Sequence, residues 1–343
     1  MAAIVMADDG VAFDGRSPER GPLGGAEGAF VALAEALAAR GNQVRAFTNC
    51  PAPLSYKGVD WTPIAQGLPE TADLYIANRG DRLIGLVPRA KSRVFWIHNP
   101  GGYLKKARYV LALLRWRPAI VAIGTAAGRT VPAWLPRRKL AVIPYGLAPE
   151  FRAAPAREPP GPVAVFTSNP QRGLDWLMDL WTARIRPKVP SAELRIYAGP
   201  AVYGAAGTRQ APAMQRILDR AASLLGQGVR RFSPLPRAEL VAALKQCRVM
   251  LYRGDANETF CAAVAEAQAL GVPAVGMPLG SLPERIVDGQ TGFLAQDDAA
   301  FADRAVALLT DDALWRRMHL AALEAGRGQS WDAAATRFEE LMR

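Results

Sequence analysis

Histidine and cysteine are the scarcest reactive groups in this 343-residue chain, with two of the first and three of the second. Cys50, Cys247 and Cys261 lie far apart with no CxxC pair, and His98 and His319 cannot complete a zinc site with them. This argues against a disulfide framework or a structural metal and for a reducing compartment. Long hydrophobic runs are missing too. No window reaches the ~18 uninterrupted apolar residues of a membrane span, and the closest, YVLALLRWRPAIVAIG, is broken by Arg115, Arg117 and Pro118. The start, MAAIVMADDG, lacks a basic n-region and runs into two aspartates, so it reads as a first strand and not as a signal peptide. Short-period repeats and low-complexity tracts are also absent. The last gap is in acidic charge: from Arg82 to Pro149 there are thirteen Lys/Arg and no Asp or Glu.

That gap makes the net charge of +11 lopsided. Residues 1–150 hold 19 basic and 11 acidic side chains, which leaves +3 for the rest. An anionic partner is expected for the N-terminal half: a membrane surface, a phosphorylated substrate or nucleic acid. The segment YLKKARYVLALLRWRP sets Lys105, Lys106, Arg108, Arg115 and Arg117 among Tyr103, Tyr109, Trp116 and leucines. It reads either as an interfacial amphipathic helix or as a solvated basic face.

Half of the residues are hydrophobic, as in a globular chain, and the length suits two domains of ~150 residues. Short β-branched runs alternate with helical patterns through both halves. AIVMAD, QVRAFTN, LYIAN, RVFWIHN, IVAIG and LAVIPYG come first, then VAVFTS, ELRIYAG, VRRFSP, RVMLYRG, PAVGMP and GFLAQ. Strand and helix at this spacing mean two doubly wound α/β domains with parallel sheets, a Rossmann-like pair. Ligands are expected at the carboxyl ends of the strands. Five prolines and no apolar period mark 147–162 as the linker. The expected domains are 1–146 and 163–325, with a C-terminal helix in 326–343 packing back on the first.

Two stretches carry chemistry. In RGPLGGAEGAFVALAEALAARG, Gly24 and Gly25 precede a long amphipathic helix closed by Gly41. Paired glycines and free helix N–H groups can approach an anion, though an ordinary βα loop would look the same. NETFCAAVAEAQALGVP raises the sharper question. A helix from about Thr259 to Leu270 puts Glu258 near its N-terminus, where capping alone explains a carboxylate. Glu266 falls inside, flanked by alanines and Val264, where an unpaired carboxylate is costly unless a ligand such as a ribose donates to it.

The Glu-x7-Glu pair continuing as AEAQALGVPAVGMPLGSLPERIVDGQTGFL resembles the donor-site signature of family 4 retaining glycosyltransferases, which have the GT-B fold, two Rossmann-like domains facing a cleft. GGAE at 24–27, IPYGL at 143–147 and TSNPQRGLDWL at 167–177 resemble that family's other landmarks. The resemblance implies that Glu266 holds the nucleotide ribose and Glu258 the hydroxyls of the transferred sugar. It implies that backbone N–H groups of Thr259, Phe260 and Cys261 face the sugar and diphosphate. Arg172 would stabilise the leaving group, Gly24 and Gly25 would close over the phosphates, and His98 would lie near the reacting sugar; a satisfied strand-end histidine is the alternative for His98. The family's earlier basic residue in the phosphate loop falls around Ser168 here. Arg253 is the candidate second cation, with a salt bridge to Asp255 as its alternative.

The implied reaction moves a sugar from a UDP- or GDP-sugar to a hydroxyl of a glycan or lipid-linked acceptor, with retention and with no metal or other cofactor. Cell-envelope polysaccharide or lipopolysaccharide synthesis follows from basicity and from the family's common uses, in the cytoplasm or peripherally on the inner membrane face. A nucleic-acid-binding protein is a different class that would use the same cations, yet no RRM, HTH or zinc pattern appears. A GT-B epimerase or phosphorylase is a second enzymatic alternative, for which Lys188 and Lys245 offer no convincing cofactor site.

Overall fold

Near-continuous apolar strands need cover on both faces, and this chain supplies it with helices twice. The computed structural model describes residues 1–21, 23–200 and 204–342, with backbone alone for 204–210. Two units result, Met1–Gly146 with Ser330–Arg343, and Leu147–Gln329.

The first unit is built on β1 (Ala3–Ala7), β2 (Gln43–Thr48), β3 (Leu54–Tyr56), β4 (Val59–Pro63), β5 (Thr71–Asn78), β6 (Arg89–Ile97), β7 (Ala119–Ala122) and β8 (Lys139–Val142). Its order is β3-β4-β2-β1-β5-β6-β7-β8, parallel apart from the β3–β4 hairpin. That hairpin was not expected from the sequence. Lys57 and Gly58 both take positive φ, 47° and 77°, the signature of a two-residue type I′ turn, and LSY-KG-VDW is too short to show a period. Helix Gly25–Ala39 buries Phe30, Leu33 and Leu37 completely. Helix Trp331–Glu339 belongs to the same unit: Phe338 meets Trp96 edge-on at 5.2 Å, and Arg40 pairs with Asp332 and Glu339. The expected boundary at 326 falls inside helix Asp312–Arg327, which stays with the second unit.

Another reading needs correction. YLKKARYVLALLRW is a 3-10 turn, Gly101–Lys105, followed by helix Ala107–Trp116, with Lys106 extended between them at ψ 136°. Among the described residues no helix is long and apolar enough to cross a membrane.

The second unit carries β9 (Val163–Phe166), β10 (Glu193–Tyr197), β11 (Val229–Phe232), β12 (Val249–Leu251), β13 (Ala274–Gly276) and β14 (Gly292–Leu294). All are parallel in the order β11-β10-β9-β12-β13-β14. These six lie in the runs that the sequence marked. The stretch 147–162 is not a loose tether. Phe151 is buried in a short helix, Pro149–Arg152, and the Arg157 backbone N–H donates to His319 Nε2 at 3.1 Å. Its prolines erase periodicity but still leave side chains to pack. Strand order reverses between β1 and β5 and between β9 and β12, where loops part and ligands enter such sheets.

Candidate active site

In the second unit the loops at that reversal gather charge. Ser168 and Arg172 follow β9, while Tyr252, Arg253 and Glu258 follow β12. Gly173 takes a left-handed φ of 84°, and a Cβ there would lie 3.2 Å from Arg253 Cβ, so the turn needs glycine. Arg172 Nη1 donates to Glu258 Oε2, and Tyr252 donates its hydroxyl to the same oxygen at 2.7 Å. The Ser168 side chain hydrogen-bonds Tyr252 in turn. Burial opposes the Arg172 charge, but Glu258 and Tyr252 more than offset it, and the guanidinium stays protonated. Tyr252 was not singled out from the sequence; its only signal was a polar tip ending an apolar strand.

The helix after Glu258 begins later than its composition suggests. Cys261 is left-handed (φ 60°, ψ 68°) and the helix is Ala262–Ala269. Glu258 therefore does not cap it and turns to Arg172 instead. Cys261 is buried, and burial pushes its thiol far above the ordinary range. Thr259 and Phe260 form the turn between, with Phe260 buried. Arg285, also unforeseen, lies 4.7 Å from the Phe260 ring with its Nε and Nη1 unbonded. Arg253 does not pair with Asp255. It lies exposed beside the Trp176 ring at 5.5 Å, with its Cβ next to Gly173, the residue after Arg172. Thr167, Ser168, Tyr197, Ala198 and Leu235 line a small pocket of about 100 Å³ at the ends of β9, β10 and β11.

Glu266 lies just over one turn into its helix, half-buried, and among the described residues nothing donates to it. Desolvation pushes its carboxyl up to about 7, partly opposed by Arg237. The sign follows from linkage. A carboxyl near 7 folded and near 4.5 unfolded contributes stability that is present below pH 4.5 and lost as pH rises through 7. Glu266→Gln escapes that loss. The variant should match the parent near pH 5 and exceed it at pH 8 by up to about 3 kcal/mol in urea unfolding. A gap independent of pH would contradict the desolvated carboxylate.

The first unit holds a second polar network, also at strand ends. Gly24 is the N-cap of helix Gly25–Ala39, and Glu27 folds back beneath it; a Cβ on Gly24 would lie 2.3 Å from Glu27 Oε2. At Gly25 a Cβ would meet nothing within 4 Å. Arg79 bridges Glu27 at 2.9 Å and Asp8 at 2.7 Å, and Asn78 Nδ2 donates to Asp8. That bond aims Asn78 Oδ1 at His98 Nε2, so Nε2 carries the proton, while His98 Nδ1 accepts from the Tyr145 hydroxyl. Burial first, and Arg79 second, hold His98 well below its ordinary pKa, so the ring is neutral. Of this set the sequence pointed to Gly24, Gly25 and His98 and missed Asp8, Glu27, Asn78, Arg79 and Tyr145. The structure gathers Ser168, Arg172 and Glu258 around Tyr252 and sets Arg253 beside them. His98 and Gly24 connect through Asn78, Asp8, Arg79 and Glu27.

Comparison with known proteins bears on the second unit most directly. Residues 161–311 match the family model for glycosyl transferases group 1. D-inositol 3-phosphate glycosyltransferase of Corynebacterium aurimucosum is 34% identical over 162 residues, 47% of this chain and 37% of that one. The same-named protein of Streptomyces coelicolor is 32% identical over 222 residues, 57% of this chain and 48% of that one. The chain thus spans less than half the length of these two curated relatives. Among solved structures, sucrose-phosphate synthase from Thermosynechococcus elongatus superposes with TM-score 0.71 at 18% identity over 99% of this chain and 98% of that one. Anabaena HepE in complex with UDP-glucose gives 0.68 at 16% over 99% of each. At such identities the superpositions speak for fold alone: the chain has the two α/β units of the GT-B fold, and residues 161–311 of its second unit carry a glycosyl transferases group 1 domain.

Proposed function

We propose that this protein transfers a sugar from a nucleotide diphosphosugar, UDP-linked in the first instance, to a hydroxyl of a glycan or lipid-linked acceptor. The observation that carries the reading is the Arg172–Glu258–Tyr252 cluster at the β9/β12 reversal, inside the segment matching the family. HepE, a neighbour in fold, binds UDP-glucose, which favours UDP over GDP. In the proposed complex Arg172 leaves Glu258 for the diphosphate, and the freed carboxylate accepts from sugar hydroxyls. Glu266 accepts from the ribose, which removes its unbonded state. Arg253 supplies the second cation that the phosphate loop lacks at Ser168.

Departure of the nucleoside diphosphate concentrates negative charge on the phosphate, and Arg172 with the N–H groups of Thr259, Phe260 and Cys261 would meet it. Retention would follow from attack on the face that the phosphate leaves, with that phosphate taking the acceptor's proton. His98, neutral and bonded at both ring nitrogens by Asn78 and Tyr145, is given no proton-transfer role in this scheme. No metal is assigned a role in this scheme. A place in envelope polysaccharide or lipopolysaccharide synthesis is part of the proposal.

Thermal shift against UDP, GDP, ADP and their sugar conjugates, beside Glu266→Ala, tests the reading. A ligand at 100 times its Kd adds ~2.7 kcal/mol to the folded state. We expect a shift with UDP that Glu266→Ala abolishes, and a donor KM raised at least tenfold in the variant. No response to any nucleotide would overturn the proposal.

A further inference from the structure

Helix Ala107–Trp116 turns its aromatic side inward: Tyr109 is buried, and Trp116 packs with Arg93 against Gly85. The side facing water is not a solvated polar face. Leu111 is 67% exposed and Leu114 50% exposed, one helical turn apart, and Leu86 is 41% exposed on the neighbouring turn, Arg82–Gly85 with its C-cap. Arg108 and Arg115 flank these leucines, Lys105 and Lys106 precede them, and Arg117 closes the helix in a left-handed conformation. Among the described residues Lys105, Lys106, Arg115 and Arg117 have no acidic partner, while Arg108 lies 3.4 Å from Asp81.

Not all cations of the acid-free stretch belong to this face. Arg93 is spent on the carbonyls of Ile84 and Val87, Arg137 on those of Pro132, Ala133 and Leu135, and Lys91 on Asp73. Four cations without an acidic partner, Lys105, Lys106, Arg115 and Arg117, thus lie on or beside the helix that carries the two exposed leucines. Water alone gives no reason for leucines there. A nucleic acid would use the cations and leave the leucines unexplained, whereas an anionic bilayer uses both: leucines enter the acyl boundary and cations stay at headgroup level.

We infer that this helix face docks the protein on a membrane surface rich in anionic lipid. The inference does not depend on the transferase reading, because vesicle binding needs no donor. Each cation near such a surface raises affinity about fivefold, and added salt removes much of that gain.

The test is co-sedimentation of the full chain with phosphatidylcholine vesicles, with and without phosphatidylglycerol, at low and high salt, beside Leu111→Glu/Leu114→Glu and Arg115→Glu/Arg117→Glu. Far-UV circular dichroism and UDP thermal shift check that the variants fold. The expected result is binding to anionic vesicles alone, weakened by salt and reduced at least tenfold in each folded variant. Equal binding to neutral vesicles, no binding, or binding undiminished in both variants would overturn it. So would a shift of random RNA without vesicle binding.

Discussion

Arg172→Ala is expected to lower kcat by two to three orders of magnitude, about 3–4 kcal/mol of transition-state stabilisation. In the proposed reaction, charge develops on the leaving diphosphate, and Arg172 is the guanidinium that the phosphate loop would bring to it. In the structure that guanidinium is held by Glu258, which is itself largely buried with Tyr252 as its other donor. Removing Arg172 therefore does two things, and they must be separated. It deprives the leaving group of its cation, and it leaves the Glu258 carboxylate with one donor, a cost in stability of ~1–3 kcal/mol. The double change Arg172→Ala/Glu258→Gln restores stability without restoring turnover. Arg172→Lys keeps the charge but loses the planar fork and recovers only part of kcat. Steady-state kinetics with saturating donor, beside urea unfolding, distinguish the two effects. A kcat within tenfold of the parent, in a variant that still folds, sinks the leaving-group role.

The second large effect lies away from the chemistry. Gly271→Ala costs at least 3 kcal/mol and lowers the melting temperature of the second unit by roughly 10 °C. Gly271 takes a φ of 70°, and a Cβ there would sit 2.2 Å from His319 Nδ1 and 2.8 Å from Leu323 Cγ. His319 has nowhere to go. It stacks on fully buried Trp315 at 4.5 Å, donates from Nδ1 to the Gly271 carbonyl and accepts at Nε2 from the Arg157 backbone N–H. The methyl group therefore costs the left-handed backbone strain and one or both hydrogen bonds. Gly271 also ends the helix that carries Glu266, so donor affinity should fall with it. Calorimetry reads the result; a drop of only 1–2 °C would mean that the imidazole has room to shift.

Much of this protein is legible before any coordinates. The twelve apolar runs all become strands, because a strand covered on both faces has no polar side to hide. Glu266 also stands out from sequence, since a carboxylate among small and apolar residues requires a reason, whereas Arg172 and Glu258 are picked out by the resemblance of their stretches to a glycosyltransferase donor site. The hairpin Leu54–Tyr56 with Val59–Pro63 was missed because three-residue strands carry no period. Asp8, Glu27, Asn78, Arg79 and Tyr145 were missed for a different reason. Each is an ordinary polar residue in its own stretch, and becomes notable only when the carboxyl ends of β1, β5, β6 and β8 and helix Gly25–Ala39 come together.

Two α/β units, a basic N-terminal half and two carboxylates bracketing a small-residue segment were settled by the sequence itself, through local patterns of period and charge. The tertiary structure decided that Glu258 binds Arg172 and Tyr252 and does not cap a helix, because Cys261 takes a left-handed turn that delays the helix. It also decided that nothing among the described residues donates to Glu266, that His98 is neutral, and that two leucines among cations face outward. Burial and partnership are relations between segments distant in the chain, and no local pattern contains them.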